Sequence, residues 1–220
     1  MYDTKNLRNE IMILHTFPPS PNSVKVMAVI HETGADVDVK IVDLTKGESM
    51  TPEFKAINPN GKIPTLEDGD FVLWESQAIM IYIAEKHDSS LVPKDLKARA
   101  DMHRWLNWNS AHFGAAIGGI TWETVAPMLF PGHKRNQVKF DESVKNLERY
   151  APILDAQLGK SNFVAGDTPT LADIALAAPI IHKEMANLPL DGYQNIMSWF
   201  GRMMELAYFK KALPQMVVSE

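Results

Sequence analysis

Two rhythms of apolar positions divide the chain. Over the first 88 residues the period switches between two and about 3.6, the repeats of strand and helix. Residues 10–15 (Glu-Ile-Met-Ile-Leu-His) read as a short buried strand running into the breaker cluster Phe-Pro-Pro-Ser-Pro at 17–21. Val24, Met27, Ala28 and Ile30 then fall at helical spacing over residues 22–32, and Gly34 stops the helix. Val37, Val39 and Ile41 alternate with Asp38 and Lys40, which predicts a strand over 37–44 that breaks at Gly47. A Pro-led segment at 52–57 predicts one or two helical turns. Residues 63–66 and 71–74 flank an Asp-Gly hairpin signal at 67–70, and residues 76–87 close the unit as a helix. The order is β-α-β-α-β-β-α with the last two strands antiparallel. Pro64, at the head of a strand, fits an edge position or a cis turn.

From residue 91 onward only the helical period remains. Helices are predicted over 95–126, 136–158, 170–186 and 195–212, the first broken by the Pro- and Gly-containing stretch 127–132. No internal repeat is visible. The fold class is therefore α/β plus all-α. A small α/β domain spans residues 1–88, with 1–9 as a polar extension. A linker near 88–95 leads into an all-helical domain over 89–220.

Composition narrows the chemistry. With 220 residues, 45% of them hydrophobic and 22% charged, the chain can bury a sizeable core and is not disordered. Its longest apolar runs, such as residues 174–181, are far short of the roughly 20 that a bilayer requires. The polar N-terminus carries both charge signs and does not resemble a signal peptide, so neither membrane nor export is expected. There is no cysteine, which excludes disulfides, thiolate metal sites and a cysteine nucleophile; any sulfur chemistry must come with a ligand. Residues 1–88 hold 8 basic and 14 acidic residues, the remainder 14 and 13. Such a surface gives no footprint for nucleic acid, and an anion on the first half needs local donors. The 7 histidines show no HExxH and no i,i+4 pair, so no metal site is expected.

Ser20 stands between a buried strand and a helix start, where unsatisfied N–H groups and the helix dipole favour an anion. Its hydroxyl can cap the helix or hold that anion, and capping is the commoner use. Asn22 carries the same ambiguity. Glu75 and Ser76 open the next helix, with Ser76 a plausible N-cap, and the rigid Ile63-Pro64 peptide precedes them. Thr170-Leu-Ala-Asp173 reads as a capping box with a folding role. Met102, Leu106, Phe113, Ile117 and Ile120 form one apolar stripe; Trp105, Trp108, His112, Ala116 and Gly119 form another, facing a partner, a cleft or the core.

Five segments, taken in order, carry a resemblance. They are residues 20–26 (Ser-Pro-Asn-Ser-Val-Lys-Val), 52–54 (Pro-Glu-Phe), 58–66 (Asn-Pro-Asn-Gly-Lys-Ile-Pro-Thr-Leu), 74–79 (Trp-Glu-Ser-Gln-Ala-Ile) and 163–173 (Phe-Val-Ala-Gly-Asp-Thr-Pro-Thr-Leu-Ala-Asp). From residue 10 to about 213 the chain resembles the cytosolic glutathione transferase family, in particular serine-type members of the bacterial theta-, phi- and nu-like classes. The resemblance implies a thioredoxin-like N-terminal domain followed by an all-helical C-terminal domain. It also implies a cytoplasmic homodimer, glutathione as co-substrate and no metal. Ser20 would donate to the glutathione sulfur, with Asn22 near it. Ile63, before a cis Pro64, would pair with the cysteinyl backbone. Glu75 and Ser76 would hold the γ-glutamyl amine and carboxylate, and Lys62 would lie beside the glycyl end. One departure is the stretch Ser49-Met50-Thr51, where plant-type serine members carry a basic pair for the glycyl carboxylate.

The expected function is activation of the glutathione thiol for attack on a small apolar electrophile. Phe17, Trp108, His112 and Trp122 are candidates for the electrophile's wall. Glutathione-dependent disulfide or peroxide reduction is a variant of that reading. A non-catalytic binding module on the same fold is the alternative, motivated by the missing basic pair.

Overall fold

The computed structural model describes residues 11–214. Strand β1 (Met12–Thr16), helix α1 (Pro21–Thr33) and strand β2 (Val37–Ile41) make a β-α-β unit with parallel strands, Leu14 lying opposite Val39. Helix α2 (Pro52–Ile57) leads to the hairpin of β3 (Thr65–Asp68) and β4 (Phe71–Trp74), and helix α3 (Ser76–Lys86) follows. The sheet order is β2-β1-β3-β4, with β3 antiparallel to both neighbours. β1 is central, and four of its five residues are buried, as its near-continuous apolar run requires.

Local chemistry adjusts several predicted boundaries. β2 stops at Ile41 rather than near residue 44, because the Asp43 carboxylate accepts from the Thr45 N–H (2.9 Å) and starts a 3-10 turn. The hairpin loop is Gly69-Asp70, with Gly69 at φ 62°, where a side chain would be strained. Pro64 precedes an interior strand, so the edge alternative falls away; the Ile63–Pro64 peptide is cis. Residue 10 and the 1–9 extension lie outside the described residues.

The helical half comprises α4 (Leu96–Trp108), α5 (Gly114–Leu129), α6 (Gln137–Leu158), α7 (Leu171–Ala177), α8 (Lys183–Ala186), α9 (Gln194–Glu205) and α10 (Ala207–Ala212). Where one long helix was predicted over 95–126, a π-helical turn at Asn109–Phe113 joins α4 to α5, the Gly114 N–H reaching back to the Asn109 carbonyl. The helix also continues through Pro127 to Leu129. Proline has no N–H for the carbonyl four residues back, and here the Glu123 carbonyl accepts from Arg135 Nε instead (3.0 Å). The predicted helix over 170–186 breaks at Pro179 into α7, a 3-10 turn (Ala178–His182) and α8. The Ala175 carbonyl, four residues before Pro179, is taken by Asn109 Nδ2 (3.0 Å). The helix predicted over 195–212 divides at Leu206, whose backbone is extended.

One apolar core runs through both halves. It includes Leu14, Val26, Ile79 and Ile83 from the α/β half and Ile117, Leu154, Ile174 and Trp199 from the helical half. Helix α10 packs along α1, so the chain closes back on its first helix. The capping box at α7 is formed: the Thr170 N–H donates to Asp173 Oδ2 (2.9 Å) and the Ala172 N–H to the Thr170 hydroxyl (3.3 Å).

Candidate functional site

Helix α1 begins at Pro21, whose fixed φ suits a first helical position and whose missing N–H would have been unpaired there. Ser20 occupies the N-cap position; its carbonyl accepts from the Ser23 and Val24 N–H groups (2.9 and 3.1 Å). Its hydroxyl makes no capping bond. The use that competes most strongly for a serine at this position is therefore absent, and a free donor stands at the positive end of the helix. The loop behind it is held firmly. The Ser20 N–H donates to the Phe17 carbonyl (2.8 Å), and His182 of the helical half bonds the Pro19 carbonyl through Nε2 (2.8 Å).

Asn22, Ser76, Glu75 and Lys25 gather beside this helix start. Asn22 Oδ1 accepts from Lys25 Nζ at 2.9 Å and from Ser76 Oγ at 3.4 Å. Ser76 is the first residue of α3 rather than its cap; the N-cap position belongs to Glu75, at φ 75° and ψ 114°. That backbone conformation costs of order 1–3 kcal/mol for a side-chain-bearing residue, and it places an exposed carboxylate beside buried Ser76. Lys25 was not singled out from the sequence. Its signal there is a cation one turn beyond Asn22 on an otherwise apolar helix. The Lys25 side chain is buried, and loss of hydration pulls its amine down to about 8, with the Glu75 charge opposing the shift.

The cis peptide forms the third arm. Asn58 Nδ2 donates to the Lys62 carbonyl (2.8 Å) and to Thr65 Oγ1 (2.9 Å), which fixes the turn around Ile63. Ile63 is buried in a small cluster with Val42 and Phe54, against which Phe17 and Leu44 pack. Phe17 and Ile63 thus share one apolar patch beside the Ser20 loop. Lys62 is exposed and makes no ion pair among the described residues, whereas Lys46 pairs with Asp43 (3.2 Å). In the stretch without a cation, Thr51 caps α2 through the Phe54 N–H (3.3 Å).

The remaining aromatic candidates are spread over the helical half. Trp122 is 52% exposed on α5 and packs on Phe130 and His133 (ring centroids 5.7 and 5.6 Å). Helix α5 in turn contacts the turn that carries His182. Trp108 and His112 belong to a separate cluster between α4 and α6. There Trp108 stacks on Phe113 (5.9 Å) and His112 lies over Tyr150 (4.8 Å). A cavity of about 410 Å³ opens beside that cluster, between Arg104, Trp105, Ile153 and Lys160. Among the described residues no group of His, Asp and Glu could hold a metal ion, and no helix is long and apolar enough to cross a membrane.

Comparison with known proteins gives one consistent result. Residues 10–85 match the family model of the glutathione S-transferase N-terminal domain, and residues 120–207 that of the C-terminal domain. Glutathione S-transferase F10 of Arabidopsis thaliana is 36% identical over 169 residues, covering 74% of this chain and 78% of its own. The crystal structure of glutathione transferase F7 from Populus trichocarpa superposes with a TM-score of 0.81 at 30% identity, over 92% of this chain and 97% of that one. A delta-class glutathione transferase of Nilaparvata lugens gives a TM-score of 0.79 at 35% identity, over 92% of each chain. The chain belongs to the glutathione S-transferase family.

Proposed function

We propose that Ser20 is the residue through which this transferase activates the thiol of glutathione, its co-substrate. A free thiol near pKa 8.5 is mostly protonated at pH 7, yet the thiolate is the nucleophile. A lowering of two pKa units corresponds to about 2.7 kcal/mol. One hydrogen bond to a charged group supplies about 1.5–3 kcal/mol and the helix dipole about 0.3–1 kcal/mol more. The observation that carries this reading is the Ser20 hydroxyl, free of any capping bond at the N-terminus of α1. Ser20 acts as a donor rather than a covalent nucleophile, since no base accompanies it.

In the same reading Ile63 offers its main chain to the cysteinyl backbone, and its N–H and carbonyl make no backbone bond among the described residues. Ser76 and Glu75 clamp the γ-glutamyl carboxylate and amine, Asn22 lies near the sulfur, and exposed Lys62 meets the glycyl end in place of the basic pair. The electrophile is small and apolar, held between Phe17 on one side and the helical half on the other, where exposed Trp122 on α5 is the aromatic whose helix meets the turn that carries His182. The transferase names of the relatives do not favour a non-catalytic role. The protein works as a cytoplasmic homodimer, for which β4 presents Phe71, Val72 and Trp74, each more than a third exposed.

The test is a pH titration of thiolate absorbance for glutathione with the protein, free ligand subtracted. Ionisation of bound thiol clearly below 8.5, lost in Ser20→Ala, is the expected result. Excess thiolate that persists in Ser20→Ala removes the assignment.

A further inference from the structure

We infer that Lys25 is a positioning residue of this site: from behind Asn22 its ammonium holds the Asn22 amide with the carbonyl turned inward, leaving the NH2 to donate to a bound anion. The inference rests on the reading of Asn22 and Ser76 as part of the glutathione site.

A lysine ammonium has three donors and no acceptor, whereas an asparagine amide has one accepting end and one donating end. The 2.9 Å contact from Lys25 Nζ therefore admits only one amide orientation, with Oδ1 toward the lysine. Ser76 Oγ, 3.4 Å from the same oxygen, takes the donor role that agrees with it. Both hydrogen bonds use the carbonyl end. The Asn22 NH2 has no partner among the described residues, and Asn22 is exposed at the mouth of the site. With the lysine gone, the amide is free to turn and present its oxygen, which would repel a thiolate.

The setting of Lys25 favours this role over a packing one. The residue is 8% exposed, yet no carboxylate lies within ion-pair distance of it among the described residues. Glu75, at the head of α3, is the charged group whose field reaches it. Burial without a direct counter-charge opposes the folded state, and an apolar side chain of the same length would fill the space without that penalty. A stability penalty concentrated beside a binding site is the pattern expected where function selects the residue.

The experiment is a double-mutant cycle on the purified full chain, read by the pKa of bound glutathione thiol and by kcat/KM at pH 6.5. Lys25→Met is expected to raise the bound thiol pKa by about one unit, a tenfold change in its ionisation constant, and to lower kcat/KM about tenfold. Lys25→Arg, which keeps the charge and the donors, should recover most of that loss. In an Asn22→Ala background the same Lys25→Met change should alter the thiol pKa less than twofold in ionisation constant. Equal effects in both backgrounds, no rescue by arginine, or lowered stability with an unchanged thiol pKa would each overturn the inference. Should Lys25→Met fail to fold, the neutral but polar Lys25→Gln replaces it, with at least a threefold effect expected in the same direction. Ser20→Ala runs alongside: if it leaves the thiol pKa unchanged, the reading of the site fails, separately from Lys25.

Discussion

Replacing Asp173 by alanine removes the acceptor from four donors at once. The carboxylate is fully buried and accepts from the Val164 N–H (2.8 Å), the Thr170 N–H (2.9 Å), the Thr170 hydroxyl (3.1 Å) and Trp199 Nε1 (3.0 Å). The Thr170 hydroxyl can rotate to another acceptor, but the two main-chain groups and the indole cannot. Each orphaned buried donor costs about 1–3 kcal/mol, so for three of them the loss is about 3–9 kcal/mol before any relief. Some relief comes from no longer burying a charge. Desolvation pushes the Asp173 carboxyl upward despite its hydrogen bonds, so part of the network's gain already offsets that burial. A net loss of about 3–5 kcal/mol remains, a large share of the roughly 5–15 kcal/mol that holds a typical domain. Thr170→Ala, which removes only the cap, should cost about 1 kcal/mol. Urea unfolding at pH 7, followed by Trp fluorescence and far-UV dichroism together, measures both. A loss below about 1 kcal/mol for Asp173→Ala, or one equal to that of Thr170→Ala, would refute the claim that this carboxylate ties the 163–170 loop, α7 and α9 into one unit.

Ser20→Ala should lower kcat/KM about 10- to 30-fold at pH 6.5, with the gap closing near pH 9 where free thiol ionises unaided; a gap that persists at pH 9 would mean that Ser20 acts on something other than ionisation. The depressed Lys25 pKa sets a second pH dependence. Between its folded value of about 8 and its ordinary value of 10.5 the unfolded chain binds more protons, so stability rises with pH through that window by up to about 3 kcal/mol. Lys25→Met should abolish that rise in denaturation profiles, and identical slopes in the two proteins would contradict it. Gly114→Ala puts a methyl 2.5 Å from Asn109 Oδ1 at the π-helical turn and should cost about 1–3 kcal/mol in thermal unfolding; a neutral result would mean that the turn readily relaxes. If the proposed homodimer forms through β4, Phe71→Glu should shift it to monomer in sedimentation, whereas a variant as dimeric as the wild type would place the interface elsewhere.

Periodicity made the order of elements legible because strands of alternating Val and Ile and a helix ending at Gly34 carry their signals locally. The interruptions were not legible, because each depends on a distant partner. Pro127 can stay inside a helix only because Arg135 reaches the carbonyl it frees, and the break at Pro179 is completed by Asn109 from another helix. The site shows the same division. Ser20, Ile63, Glu75 and Ser76 could be named from their places at helix starts and beside a proline. That the Ser20 hydroxyl is unused by its own helix, and that Glu75 rather than Ser76 stands at the cap, are three-dimensional facts. Lys25 escaped notice because a lone lysine on a helix usually faces water; only the packing around α1 turns it inward.

The contact between α1 and α10 bears on the order in which the molecule is made. A ribosome releases α10 long after α1, and domains otherwise tend to fold as they emerge. Here the α/β half leaves the exit tunnel with one flank of α1 bare, including apolar surface that α10 later covers. The serine at the head of that helix therefore waits for α10 before its surroundings are complete. A nascent chain stopped before residue 207 is expected to remain sensitive to protease, and to hold chaperones, until α10 arrives.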